Sequence, residues 1–183
     1  MVFILVLVGL VVILAIWIIS VQNKLVSVNE FCQNSLSQIG VQQQSRWDAL
    51  TSLYDLTKSY SSFESETLLK VISARKNTTG NSSAGDIESQ EKLLTQGFAS
   101  INALAESYPD LKSNSVYTKT MEDVNTYENN VRMSRMVYND SVTKLNRMVL
   151  SFPGSLIASL LHFQKRDYLE EVKGKTEMPS FNK

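Results

Sequence analysis

Of the residue types that staple a chain, ligate metals or break helices, this 183-residue sequence has few: one cysteine (Cys32), one histidine (His162), three prolines and seven glycines. A single cysteine excludes an internal disulfide framework and any multi-cysteine metal site. With only one histidine beside it, too few ligands remain for zinc. His162 lies in "LLHFQ", a setting for a helix edge rather than for a general base, and "SFPGS" reads as a helix break rather than a turn that presents a nucleophile. No glycine-rich phosphate loop is written in the chain. Glu64, Glu66, Glu122, Asp123 and Glu128 offer oxygen ligands for a harder cation, but the arginines interleaved with them make ion pairing their expected fate. Eighteen basic residues balance eighteen acidic ones, so no positive field marks a nucleic-acid surface. The chain is thus expected to be no enzyme, to carry no cofactor and to bind no nucleic acid.

What is present begins with "VFILVLVGLVVILAIWIIS", Val2–Ser20, an uncharged run long enough to cross the hydrocarbon core as a helix. It has neither the basic start nor the small-residue cleavage site of a secretory signal, so it reads as an uncleaved single-pass anchor in membrane lipid. Trp17 is placed to sit near one interface. Lys24 follows the span closely and no basic residue precedes it, which turns the N-terminus outward and the body toward the cytoplasm.

Beyond the span, scarce glycine and proline favour long helices. From Gln22 to Lys76 there is no proline and one glycine, and apolar residues recur at helical spacing. That predicts one helix about 80 Å long. "NTTGNSSAGD" is a loop by composition, and its sequons at Asn77 and Asn81, like that at Asn139, are matches that polar loops generate freely. A second helix starts near Ser83–Asp86 and stops at Pro109, and a third runs from about Ser115 to Phe152, ahead of Pro153. "SLIASLLHFQKRDYLEE" predicts a shorter fourth helix. The fold expected is all-α: an N-terminal transmembrane helix followed by an elongated antiparallel bundle of three long helices plus one short C-terminal helix. Residues 1–22 form the anchor, 23–173 the bundle with 23–45 as a membrane-proximal stalk, and 174–183 a flexible tail.

Several fragments, in order along the chain, resemble the LemA family of bacterial membrane-anchored helical proteins. "RWDAL" and "KSYSSFE" supply Arg46, Asp48, Tyr60 and Glu64, and "SAR" supplies Arg75. "YPDLKSN" follows, and "ENNVRMSRMVYNDSVTKLN" contributes Glu128, Arg135, Tyr138, Asn139 and Asn146. "SFPGSLIA", "HF" and "MPSF" match the closing segments, although Leu169 stands where the family often has phenylalanine. The resemblance implies a single-pass protein of the bacterial cell membrane with a helical, cytoplasmic body and no enzymatic activity. Family genes often neighbour that of a membrane metalloprotease of the stress response, which implies that protease or another envelope protein as a partner.

Two features of the pattern set further expectations. Stepping back from Phe152 by threes and fours gives eleven seam positions on the third helix, nine of them apolar or aromatic and two charged, Glu128 and Arg135. If the long helices run up, down and up, this pair lies level with Glu64 and Arg75 of the first, forming a crossed ion-pair layer with Tyr138 and Asn139 as further members. Arg135→Leu would then be partly rescued by Glu128→Leu. The second feature is the stripe Leu25, Val28, Cys32, Leu36 and Ile39, which a second helix of about 22 residues is too short to cover. A second copy of the chain is the expected cover, making this stripe the candidate homo-oligomer interface. A partner membrane protein comes next, and the remaining alternative is that the second and third helices form one bent arm antiparallel to the first. The function these readings favour is a self-assembling, membrane-anchored scaffold of the bacterial envelope, with an adaptor for a membrane protease or another quality-control complex as the alternative.

Overall fold

The computed structural model describes residues 1–60 and 66–170, and no strand occurs among them. α1 (Val2–Thr57) is a single helix of 56 residues, about 84 Å long at the α-helical rise, so the apolar run passes into the body without a joint. Its N-terminal part is long and apolar enough to cross a membrane, and none of that window is covered by the rest of the chain.

The first helix ends about nineteen residues short of the length predicted, at Thr57 rather than Lys76. No proline or glycine stops it. At its end the backbone tightens to three-residue bonds, Ser59 to Leu56 and Tyr60 to Thr57, and the Thr57 and Ser59 hydroxyls donate to the carbonyls of Tyr54 and Leu56. α2 (Glu66–Ser73) follows, and the chain from Arg75 to Asn81 then runs back along α1. Arg75 pairs with Asp48, Thr78 donates to Gln43, and Asn81 accepts from Gln33. Gly40 permits this close return, since a Cβ there would collide with the Thr78 carbonyl.

α3 (Ala84–Ser107) starts at the predicted cap: Ser83 and Asp86 form a reciprocal capping box. The Ser83 hydrogen bonds hold the Asp86 carboxyl below its ordinary range. Because the return segment has already reversed the chain, α3 runs parallel to α1, with Ile87 beside Gln43 and Gly97 against Leu50. Pro109 ends it and opens the single turn α4 (Pro109–Lys112). Asn114 caps α5 (Ser115–Leu150) by accepting from the Val116 and Tyr117 amides, and itself donates to the Tyr60 hydroxyl.

α5 lies antiparallel to α1, since Arg46 meets Glu128, Gln42 meets Asn130, and Leu25 shares a cluster with Leu145. The first helix and the seam helix are therefore opposed rather than parallel, and Glu64 lies outside the described residues. This geometry also corrects the expected oligomer interface. Leu25, Cys32, Leu36 and Ile39 are fully buried within the chain and Val28 is partly buried, packed by Val131, Val142, Leu145 and Ile157. At 36 residues α5 runs the length of the stripe, to which α3 adds only Ile87 and Ala84 from its first turn.

α6 (Gly154–Leu160) has seven residues, far fewer than the helix predicted through Glu171. His162 adopts a left-handed φ of 58°, its amide donates to Ser159 and that of Phe163 to Ala158. Those two bonds and the left-handed residue make a Schellman motif, here with histidine where glycine or asparagine is usual. The residues after it run extended. The predicted tail, 174–183, lies outside the described residues.

Candidate functional site

α5 changes partners halfway along, and its polar residues gather at the change. From Tyr117 to Val124 it packs in one apolar cluster with α1 and α3, and from Val131 to Leu145 in a second with α1, α6, Leu169 and, from α3, Ile87 alone among fully buried residues. α3 begins between them, with Asp86, Glu88 and Glu91 in or near its first two turns. Acids there are favoured by the positive end of the helix dipole. Two arginines, the most buried charges of the body, converge on these acids.

Arg46 of α1 is 1 % exposed and reaches Glu91 at 2.6 Å and Glu128 at 3.2 Å, with its guanidinium 5.8 Å from the Phe98 ring centre. Gln43, one turn away, bonds the Ile87 carbonyl and the other Glu91 oxygen. Arg135 of α5, 4 % exposed, forms a two-pronged pair with Glu88 at 2.7 and 3.3 Å and donates to the Glu170 carbonyl. So the seam glutamate and arginine do not belong to one crossed layer. Glu128 pairs with Arg46 and Arg135 with Glu88, while Arg75 pairs with Asp48 at the surface. Spacing along the seam does not point to Glu88 and Glu91, because they stand on α3, whose direction the return segment decides.

Tyr138, Asn139 and Asn146 have a different task from the one expected. They hold the extended residues Arg166–Glu170 along α5. Asn146 donates to the Arg166 carbonyl and accepts from its amide, at 2.9 and 2.8 Å. Asn139 does the same to Leu169, at 2.9 and 3.0 Å. Each asparagine thus satisfies both backbone groups of one residue, as a neighbouring strand does. The spacing follows from geometry: seven helical residues and three extended ones both span about 10 Å. Asparagines one heptad apart on an exposed helix edge were therefore the readable signal for an extended partner. With its side chain used in this way, Asn139 is not a free glycosylation acceptor. Between the two clamps Tyr138 donates to the Asp167 carbonyl, and burial, opposed by nearby Arg166, pushes its phenol above the ordinary range. Burial likewise raises the Cys32 thiol.

Replacing both clamps, Asn139→Ala with Asn146→Ala, is expected to cost about 2–4 kcal/mol, four hydrogen bonds at the usual net value. The amides of Arg166 and Leu169 should lose their protection from hydrogen exchange while those of α3 keep theirs. Uniform loss across the body would show that the clamps serve global folding instead.

These contacts join α1, α3, α5 and the residues 166–170 to one another. Among the described residues no three His, Cys, Asp or Glu side chains gather in a group able to hold a metal ion. His162 is exposed at the end of α6. The LemA family model matches residues 35–182, which takes in the return segment, both arginines, both asparagine clamps and the stretch beyond them. No curated protein matches the sequence.

Proposed function

The chain belongs to the LemA family, and from that premise we propose that it is a non-enzymatic, single-pass membrane adaptor that holds a helical body at the bilayer for a partner protein of the envelope. The observation that carries this reading is the continuity of α1, one helix from the lipid-compatible run to Thr57. An anchor of this kind fixes the height and tilt of the body, which a flexible linker would leave free. The family's association with a membrane metalloprotease supplies that protease, or another quality-control protein, as the partner class. Lys24, Lys144, Arg147 and Lys165, exposed at the end of the body nearest the span, favour the cytoplasmic side for it.

Self-assembly is the second reading, and one observation favours it. The span has no cover within its own chain, so span-to-span packing is sterically open. The absolute mass of the full chain in mild detergent, beside that of a fragment beginning at Gln22, separates the two. That fragment keeps the stripe and the helices covering it. One chain per particle in both is the adaptor result. A defined oligomer of the full chain that reverts to monomer in the fragment replaces it with a scaffold joined through the span.

A further inference from the structure

The α5–α6 turn exposes a cluster of large apolar side chains that the core does not use. Leu150 is 68 % exposed, Phe152 80 %, Leu156 64 % and Leu160 76 %. Ile157 and Ala158, between them on α6, are buried, so Leu156 and Leu160 form the outward face of that helix. The register between α1 and α5 fixes the height of this cluster. Gln42 faces Asn130, and twenty residues further along both antiparallel helices Gln22 comes level with Leu150. α6 also packs against α1, and Val21 and Met148 both lie against the cluster that contains Ile157. Phe152 thus lies beside the point where the uncharged span ends at Ser20.

Charge at this end has one sign. No acidic residue occurs in 1–29 or in 141–166, whereas Lys24, Lys144, Arg147, Lys165 and Arg166 do. All but Arg166, which bonds Asn29, are exposed. Apolar side chains rimmed by cations are what an anionic membrane surface accepts, apolar groups among the acyl chains and cations among the phosphates.

We propose that the α5–α6 turn is a second membrane contact. Phe152, Leu150, Leu156 and Leu160 enter the interfacial layer of the same leaflet from which α1 emerges, and Lys24, Arg147 and Lys165 engage the headgroup phosphates. The body is then held to the bilayer at two points and does not swivel about the span. The proposal rests on the anchored reading above.

The test uses the full chain reconstituted in vesicles of phosphatidylcholine and phosphatidylglycerol. A nitroxide is attached, one site at a time, through Phe152→Cys, Leu160→Cys, Ile13→Cys or Met133→Cys. Cys32, fully buried, stays unlabelled. Met133 is exposed and by the same register lies about 28 Å beyond the end of the span. Collision with oxygen, which partitions into lipid, is compared with collision with a water-soluble nickel chelate. The expected result is an oxygen-to-nickel ratio at Phe152 and Leu160 several-fold above that at Met133 and approaching that at Ile13. Values at Phe152 and Leu160 equal to that at Met133, with Ile13 in lipid, overturn the second contact and leave the anchor standing. Exclusion of both reagents at Phe152 overturns it in favour of a protein cover, such as a second copy. A nickel-accessible Ile13 overturns the anchored reading and this proposal with it.

Discussion

Arg46→Met is expected to lower the stability of the body by about 3–5 kcal/mol, the usual cost of removing one partner of a buried ion pair. For a chain of this size that is roughly 10 °C in the thermal midpoint. The cost arises from what stays behind. Glu91, only 15 % exposed, would keep Gln43 as its hydrogen-bonding partner and lose its neutralising charge. Glu128, 39 % exposed, is solvated enough to lose little. Single replacements should therefore rank unequally. Glu128→Gln should cost less than about 1 kcal/mol, whereas Glu91→Gln should approach the effect of the arginine change. In the double variant Arg46→Met with Glu91→Leu, much of the loss should return, since well-packed apolar replacements of buried pairs are often neutral. Thermal unfolding followed by helix circular dichroism measures all four. Strictly additive losses would mean that Arg46 acts through its packing against Phe98 rather than through the pair.

The parts of this architecture that were legible in the sequence are those fixed by local chemistry. The long apolar N-terminal helix, the Ser83–Asp86 cap, the stops at Pro109 and before Pro153, and the apolar seam of α5 each follow from residues within a few positions of one another. The parts that were not legible depend on direction. No glycine or proline marks the end of helix 1 at Thr57, and the Ser and Thr hydroxyl bonds there resemble those that Ser35, Ser45 and Thr51 make inside the helix. Once it ends there, the short α2 and the return along Gln43 and Gln33 take the downward course. That places α3 parallel to α1 and turns α5 over, so each charged seam residue meets a partner no spacing rule had offered. The same reversal lays the long α5 over Leu25–Ile39, which removes the need for a second chain there. "LLHFQKRDYLE", Leu160–Glu170, keeps a helical rhythm on paper. It unwinds because His162 takes the left-handed position and Asn139 and Asn146 supply backbone partners that a helix would have supplied from within.

Arg135 tests whether the joint between the two halves of the body is one unit. Its guanidinium holds Glu88 from α3 and the Glu170 carbonyl, and the Glu170 amide donates to the same Glu88. Arg135→Leu should therefore cost about 3 kcal/mol, near the lower end for a buried pair because Glu88 keeps 21 % of its side-chain exposure. Unlike the change at Arg46, it should also loosen Arg166–Glu170, visible as faster exchange at the Leu169 and Glu170 amides. Rescue distinguishes the partners. Adding Glu88→Leu should recover part of the midpoint, since it removes the carboxylate left without its guanidinium. Adding Glu128→Leu should recover nothing, because that carboxylate belongs to Arg46. The crossed layer that seam spacing alone suggests, with Glu128→Leu partly rescuing Arg135→Leu, predicts the reverse. Rescue by Glu128→Leu and none by Glu88→Leu would require α5 to sit in a different register on α1. With that register would go the placement of Phe152 at the end of the span.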